Sequence, residues 1–279
     1  MAAASVTLND ITNHFENLVD PRSQVNRYYP LPDVVVIAIM AILSGANGPT
    51  AIAVWADLHR EFLFAHLNLT TSTPCKDVFR NVLSRLDPRA FQACFVNWVQ
   101  ALRDKAMANL DIDRLLLHLD GKTLRRSHDH ANDLGTLHSV SAWASELGLS
   151  LAQVACEEKS NEITAIPRLL QLVDIKGAII TIDAMGTQKE IAKEIVDGGA
   201  DYVLALKGNQ GNLHDAVTEH LSHLLETDDA DGTSQSHTVT EKLHGQIETR
   251  YYLQCPVPTD LLMLYEWVGL KTIGMVIRH

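Results

Sequence analysis

The chain has 279 residues, of which 46% are hydrophobic and 20% are charged, and its formal net charge is -11 at pH 7. This composition is that of a globular protein long enough for one large or two medium domains. The negative charge argues against a protein that coats nucleic acid with a uniformly basic surface, because phosphate binding depends on lysine and arginine. A net negative charge is still compatible with a local basic groove.

The cysteine pattern and the apolar runs argue against a zinc-binding, a membrane-spanning and a secreted protein. Four cysteines are scattered along the chain, and none forms a Cys-x-x-Cys pair. That spacing argues against structural zinc and favours a reducing compartment. The longest apolar run, 34–43, is about half the roughly 20 residues that a membrane span needs. The N-terminus lacks the basic and apolar regions of a signal peptide, so we expect a cytoplasmic protein with no membrane partner.

The first part of the chain, residues 1–110, is predicted to be a small all-helical domain. Apolar residues recur at helical spacing in several segments that are separated by turn formers. The predicted helices are 31–43, 50–63, 74–86 and a last one that starts at Asp87-Pro88.

From residue 111 onward the pattern predicts strands and crossover helices. The strands are expected at 115–119, 137–144, 149–155, 178–182 and 202–206, and the helices at 164–173, with Pro167 in its first turn, and at 187–196. The order β-β-β-α-β-α-β, with right-handed crossovers, predicts a three-layer α/β domain of the ribonuclease H arrangement over residues 111–279. A further helix at 213–225 and strands near 238–241, 247–253 and 272–277 follow.

Two aspartates each follow an apolar strand-like run, Asp120 after 115–119 and Asp183 after 178–182. In the ribonuclease H arrangement the ends of these two strands are neighbours, so both carboxylates can point at one place. Mg²⁺ prefers hard oxygen ligands and takes one or two from the protein. A single aspartate at a strand end is more often a turn former or a helix N-cap, so the prediction of a metal site depends on the pair and on its context.

Several motifs give that context. In chain order they are Leu-Asp-Gly-Lys at 119–122, the run 158–167, Ile-Asp-Ala-Met-Gly-Thr-Gln at 182–188, Leu-Lys-Gly-Asn-Gln at 206–210 and His-Gly-Gln-Ile-Glu-Thr-Arg at 244–250. With them the chain resembles the ISAs-type insertion-sequence transposases, also called H-repeat-associated proteins, of the DDE transposase superfamily. Asp20-Pro21-Arg22 and the segments 43–46 and 85–88 resemble the N-terminal associated domain of that family.

The resemblance implies a transposase that hydrolyses phosphodiesters and transfers DNA strands with Mg²⁺ or Mn²⁺. Asp120 and Asp183 match the first two catalytic, metal-binding acids. Lys122, Lys207 and Asn209 lie beside them in the sequence and are expected to contact DNA, with a lysine reaching solvent or a simple turn as the alternative. The implied partners are double-stranded DNA, as element ends and as target, and further copies in a homodimer or higher transposase assembly.

The helical domain has two interpretations under this resemblance. Short helices suit a reader of DNA ends. Residues 1–112 hold nine lysines and arginines against ten aspartates and glutamates, so contact between transposase copies is the competing interpretation.

The third acid of the family has no match, because it lies on a later helix that this sequence lacks. We therefore expect a C-terminally truncated copy that is weakly active or inactive, so whether it is an enzyme stays open. The alternative is a non-catalytic DNA-binding or regulatory remnant that interferes with an intact transposase. Glu162 and Glu248 are the candidate substitutes for the third acid. His128 and His130, beside Asp129, form a separate metal-like pattern that is more often a loop.

Overall fold

The computed structural model describes residues 7–110, 112–123, 138–156, 162–227, 232–243 and 246–278. The chain divides into two compact units, Met1–Ile112 and Asp113–His279. Within the described ranges, no helix is long and apolar enough to cross a membrane. The pattern of His128 and His130 lies outside the described residues.

The described elements of the first unit are helices that share one hydrophobic core, to which α2 contributes the most buried residues. The helices are α1 (Leu8–Asn13), α2 (Leu31–Leu43), α3 (Pro49–Leu58), α4 (Arg60–His66), α5 (Lys76–Leu83) and α6 (Pro88–Leu110). Residues 34–38 of α2 are all buried, as expected for a helix that is apolar on every side.

The prediction of one helix over 50–63 was wrong, because the chain breaks at His59 between α3 and α4. His59 leaves the helical conformation, with φ -104° and ψ 20°. Its ring stacks on Trp55 with centroids 4.2 Å apart, and its Nδ1 lies 2.8 Å from the Trp55 carbonyl oxygen. The side chain of His59 thus stabilises the break.

An ion pair shielded from solvent orders the loop before α2. Arg22 donates from Nε and Nη2 to the two carboxylate oxygens of Asp20, at 2.9 and 2.7 Å, and from Nη2 to the Tyr29 carbonyl oxygen. The side chains of Arg22 and Asp20 are only 8% and 11% exposed. Burial raises the pKa of Asp20, but the hydrogen bonds from Arg22 outweigh it and leave that pKa below its usual value.

A second carboxylate is buried in the first turn of α2. Asp33 is 1% exposed, and its Oδ2 accepts a hydrogen bond of 3.0 Å from the backbone N–H of Asn68. Burial raises the pKa of Asp33, and the hydrogen bond from Asn68 opposes that rise only in part. The ionised side chain therefore costs folding free energy at neutral pH.

The second unit contains a mixed five-stranded sheet in the order β3-β2-β1-β4-β5. The strands are β1 (Leu116–Thr123), β2 (His138–Ala144), β3 (Leu149–Cys156), β4 (Ile179–Ile182) and β5 (Asp201–Leu204). β1, β2 and β3 pair as an antiparallel meander, whereas β4 lies parallel to both β1 and β5. Helix α7 (Glu162–Leu172) connects β3 to β4, and α8 (Lys189–Asp197) connects β4 to β5, which is the predicted order of elements.

Two local predictions in this sheet were wrong. Pro167 lies inside α7 and not in its first turn, because the helix begins at Glu162. β1 does not end before Asp120 but continues to Thr123, because Asp120 and the three residues after it stay paired with 138–141 of β2.

The second unit also contains an antiparallel three-stranded sheet in the order β6-β7-β8. The strands of this sheet are β6 (Gln235–Leu243), β7 (Gln246–Pro256) and β8 (Thr272–Arg278), and helix α9 (Gly211–Glu226) precedes them in the chain. Val217 and Leu221 of α9 share a small core with Leu253, Cys255 and Ile273 of the sheet. The segment before β8 contacts the main sheet, because the Tyr202 hydroxyl donates to the Val268 carbonyl oxygen at 3.0 Å.

Replacing Arg22 by methionine is expected to destabilise the chain by about 3 kcal/mol, because the buried Asp20 carboxylate loses both side-chain hydrogen bonds from Arg22. Its remaining cation is then Arg27, whose Nε lies 3.6 Å from Asp20 Oδ2. The folded-state pKa of Asp20 is lowered, so its contribution is complete above its ordinary pKa of about 3.9 and is lost as the pH falls through the folded-state pKa. Urea unfolding from pH 7 to pH 2 measures both effects.

The matched control for this prediction is Arg60→Met. Arg60 forms an exposed i,i+3 ion pair with Asp57, and exposed pairs contribute about 0–1 kcal/mol. An Arg22→Met variant that loses no more stability than this control would contradict the structural role of the Asp20–Arg22 pair.

Replacing Asp33 by asparagine is expected to stabilise the chain at pH 7. Asparagine keeps an oxygen that can accept the hydrogen bond from Asn68, and it removes the buried charge. Because the folded-state pKa of Asp33 is raised, the parent loses stability as the pH rises through that pKa, whereas below about pH 4 the parent and the variant converge. Urea midpoints of both proteins from pH 3 to pH 8 check this. A variant less stable than the parent at pH 7 would mean that the α2 dipole outweighs burial.

Candidate functional site

The parallel pairing of β1 with β4 determines which way the two aspartates face. Leu117 lies opposite Ile180 and Leu119 opposite Ile182, and all four side chains are buried. Side chains alternate between the faces of a sheet, so the residues between them, and those one position further along, occupy the opposite face.

Asp120 and Asp183 lie on that opposite face, one residue beyond the paired positions Leu119 and Ile182. His118 and Thr181 mark the same face one step earlier, and their side chains meet across the two strands, with His118 Nδ1 2.6 Å from Thr181 Oγ1. By the alternation of side chains, each aspartate follows its strand on the face of the His118–Thr181 contact.

Asp120 is an exposed residue in the middle of β1. It lies opposite Ser141 of β2, whereas β4 has already ended at Ile182. Its carboxylate is 60% exposed, and Lys122 Nζ lies 3.9 Å from its Oδ2. Lys122 is on the same face of β1, so a cation is near this carboxylate.

Asp183 directly follows β4 and is the N-cap of a short 3-10 turn, Ala184–Gly186. Its Oδ1 accepts a hydrogen bond of 3.1 Å from the backbone N–H of Met185. The N-cap role that competes with metal binding is therefore present. It uses one carboxylate oxygen, and a carboxylate has two oxygens with several lone-pair positions, so capping and metal binding are compatible.

The other predicted DNA-contacting residues follow β5. Lys207 is exposed. Asn209 is also exposed, but its side-chain Nδ2 donates to the carbonyl oxygen of Ala184, at 2.5 Å. The contacts of Lys122, Lys207 and Asn209 with DNA stay predictions.

Glu248, a candidate third acid, belongs to the three-stranded sheet and binds two arginines. Arg250 donates from Nε to its Oε1, and Arg278 Nε lies 3.4 Å from the same oxygen. The hydrogen bond from Arg250 keeps the pKa of Glu248 below its usual value. The side chain of Glu162 is not among those described. Across the described ranges, no group of three or more histidine, cysteine, aspartate or glutamate side chains is arranged to hold a metal ion.

A cleft of about 410 Å³ opens at the N-terminal end of α9. Its lining residues are Lys189, Asn209, Gln210, Gly211, Asn212, Leu213, Met263 and Trp267. Lys189 forms an ion pair with Glu266 at this end of the unit. The sequence pattern did not single out Lys189, because it lies in the first turn of an amphipathic helix.

Comparison with known proteins identifies the family. The model of the transposase DDE domain matches residues 107–254, and that of the domain associated with it, "DDE_Tnp_1-associated", matches residues 12–99. Among solved structures, the chain is similar to a piggyBac transposase in a synaptic complex with hairpin DNA. The two are 10% identical in sequence, and the similar region covers 98% of this chain and 61% of the piggyBac chain. Its TM-score of 0.39 is too low to support an argument about the fold.

Curated relatives extend over nearly the whole chain. The H repeat-associated putative transposase YhhI of Escherichia coli K12 is 37% identical over 271 residues, which are 97% of this chain and 69% of the relative. An uncharacterized protein in the dhlA 3' region of Xanthobacter autotrophicus is 41% identical, over 99% of this chain and 90% of its own. The H repeat-associated putative transposase YbfD of Escherichia coli K12 is 35% identical, over 91% of this chain and 97% of the relative. The chain therefore belongs to the transposase DDE domain family, with the H repeat-associated putative transposases among its relatives.

Proposed function

We propose that this chain is an insertion-sequence transposase of the DDE type, which binds double-stranded DNA through a ribonuclease H-like domain and uses Asp120 and Asp183 as metal-binding, catalytic acids. The observation that supports the proposal is the β1/β4 register, whose last paired residues, Leu119 and Ile182, directly precede Asp120 and Asp183. The strand order β3-β2-β1-β4-β5, with an antiparallel meander beside two parallel strands, supports the ribonuclease H-like assignment.

The donor set suits Mg²⁺ or Mn²⁺. Both aspartates are exposed, and their oxygens are the hard ligands that these ions take, usually together with water and substrate phosphate oxygens. A bound divalent ion supplies activation of the attacking hydroxyl and stabilisation of the leaving oxygen in phosphodiester chemistry.

The remaining roles belong to the side chains around the two acids. Lys122 screens the Asp120 carboxylate when no other cation is near, and it can turn to a DNA phosphate because it is itself 69% exposed. Lys207 is exposed after β5, and its charge suits a second phosphate contact that positions DNA without reading its sequence.

The catalytic activity of the chain depends on how tightly the two aspartates can hold a divalent ion. A divalent ion that took only two carboxylates, those of Asp120 and Asp183, from the protein would be bound weakly. We therefore propose weak activity or none. The alternative function is that of a DNA-binding remnant that enters mixed assemblies and interferes with an intact transposase.

We propose that the two units have separate tasks. The first, matched over residues 12–99 by the transposase-associated model, is assigned to reading DNA ends or to contacts between copies. The second, from residue 113, is assigned to catalysis. Homodimers or higher assemblies are part of the proposal, since two element ends have to be brought together.

Cleavage of a DNA that carries the element's own ends tests the proposal, in Mg²⁺ and in Mn²⁺. We expect Asp120→Asn and Asp183→Asn each to lower any cleavage at least about 100-fold, because the metal contributes several kcal/mol to the transition state and 1.36 kcal/mol is tenfold. Asp215→Asn is the matched control, since Asp215 is 84% exposed on α9. Cleavage that survives Asp183→Asn would overturn the assignment of the acids.

A second experiment separates the two functions. If the chain does not cleave, we expect it still to bind the element ends and to inhibit the transposase that mobilises the same ends when the two are mixed. A chain that neither cleaves, nor binds the ends, nor inhibits would contradict both candidate functions.

A further inference from the structure

We propose that Asn209 and Gln210 are positioning residues, which hold the turn after Asp183 and thereby set the direction of the Asp183 carboxylate. The inference deepens the proposed function and rests on it, because it assigns Asn209 and Gln210 a task at the same site. It gives Asn209 a role different from the DNA contact that the sequence predicts.

The direction of the Asp183 carboxylate depends on the 3-10 turn Ala184–Gly186. The carboxylate accepts the N–H of Met185 inside that turn, so a shift of the turn moves its oxygens as well. Metal ligands have to be placed within a few tenths of an ångström of their bonding distance. Whatever holds the turn in place therefore influences how well Asp183 can bind a metal ion.

Two side-chain amides from the segment before α9 hold this turn on both sides. Asn209 Nδ2 donates to the Ala184 carbonyl oxygen at 2.5 Å, and Gln210 Nε2 donates to the Thr187 carbonyl oxygen at 3.1 Å. The partners are 25 and 23 residues apart in the chain. These are tertiary contacts, which bridge the end of β4 and the start of α9.

Thr187 connects the same turn to β5. It is 3% exposed, and its hydroxyl oxygen lies 2.6 Å from the carbonyl oxygen of Ala205 and 3.3 Å from that of Asp183. A hydroxyl has one proton, so the shorter contact with Ala205 is the hydrogen bond. Thr187 thus fixes the end of the turn against the strand next to β4.

Packing holds the turn from the other side. A Cβ on Gly186 would lie 2.3 Å from Ile182 Cγ2 and 2.8 Å from Ile166 Cδ1. The turn is therefore packed directly onto β4 and α7, with no room for a side chain at this position. The turn is thus held by packing on one side and by the two amides on the other.

The two possible roles of Asn209, contact with DNA and positioning of a metal ligand, affect different measurable quantities. A residue that contacts phosphate contributes to DNA affinity and to its salt dependence. A residue that orients a metal ligand contributes to metal affinity, typically by 10–100-fold. The amide nitrogen of Asn209 donates one hydrogen bond to a backbone carbonyl oxygen of the turn, which favours the second effect.

Mn²⁺ binding to the full chain, measured without DNA, tests the inference with Asn209→Ala and Gln210→Ala. We expect the Mn²⁺ concentration at half-saturation to rise about 10-fold or more in each variant. The affinity for DNA without metal, and its slope against salt concentration, should stay as in the parent. Asn212→Ala is the matched control, because Asn212 is exposed in the first turn of α9, and it should change neither quantity.

Two further variants keep the outcomes distinct. Asp183→Asn should abolish the Mn²⁺ binding, and if it does not, the proposed function itself fails. Lys207→Ala should lower the salt slope of DNA binding by about one and leave the metal midpoint unchanged. If Asp183→Asn acts as expected while Asn209→Ala and Gln210→Ala bind Mn²⁺ like the parent, the positioning role is overturned. The same holds if their main effect is on the salt slope.

Amide hydrogen exchange provides a measurement that does not depend on the metal. In Asn209→Ala we expect faster exchange at residues 185–187 and unchanged exchange in the interior of α8. Faster exchange throughout the second unit would show general unfolding, and Gln210→Ala would then serve as the deciding variant. Unchanged exchange at 185–187 in both variants would contradict the inference.

Discussion

The parallel pairing of β1 with β4 is the interaction on which the candidate site depends. Leu117, Leu119, Ile180 and Ile182 are buried on one face of these strands, and their burial holds the register. A slip by one residue would move the leucines to the solvent and the aspartates into the core. The hydrophobic core therefore places the two acids, although neither acid contributes to it.

The acids are accessible because the two strands end at different points. β4 stops at Ile182, whereas β1 continues beside β2 as far as Thr123. Asp120 is consequently held in a hydrogen-bonded strand with its carboxylate in solvent, and Asp183 begins a turn that is held by Thr187, Asn209 and Gln210. A regular strand orients the Asp120 side chain, and a bridged turn orients that of Asp183.

Much of the second unit could be predicted from the sequence, because its strands are apolar runs and its helices have a clear period. The length of β1 could not, since Asp-Gly-Lys-Thr at 120–123 has the composition of a turn and is kept in the sheet by β2. The break at His59 was missed for a similar reason. The contact of His59 with Trp55 stabilises it, and apolar periodicity does not report such a contact.

The sequence by itself determined the apolar strands that precede Asp120 and Asp183, and the motifs that place the chain in its family. Only the tertiary structure decided which polar side chains are available. Glu248 is held by Arg250 and Arg278, and Asn209 is held by a carbonyl oxygen 25 residues away. The physical reason is that a hydrogen bond depends on distance and direction in space. The residue type provides the donor or the acceptor, and the tertiary structure determines which group it binds.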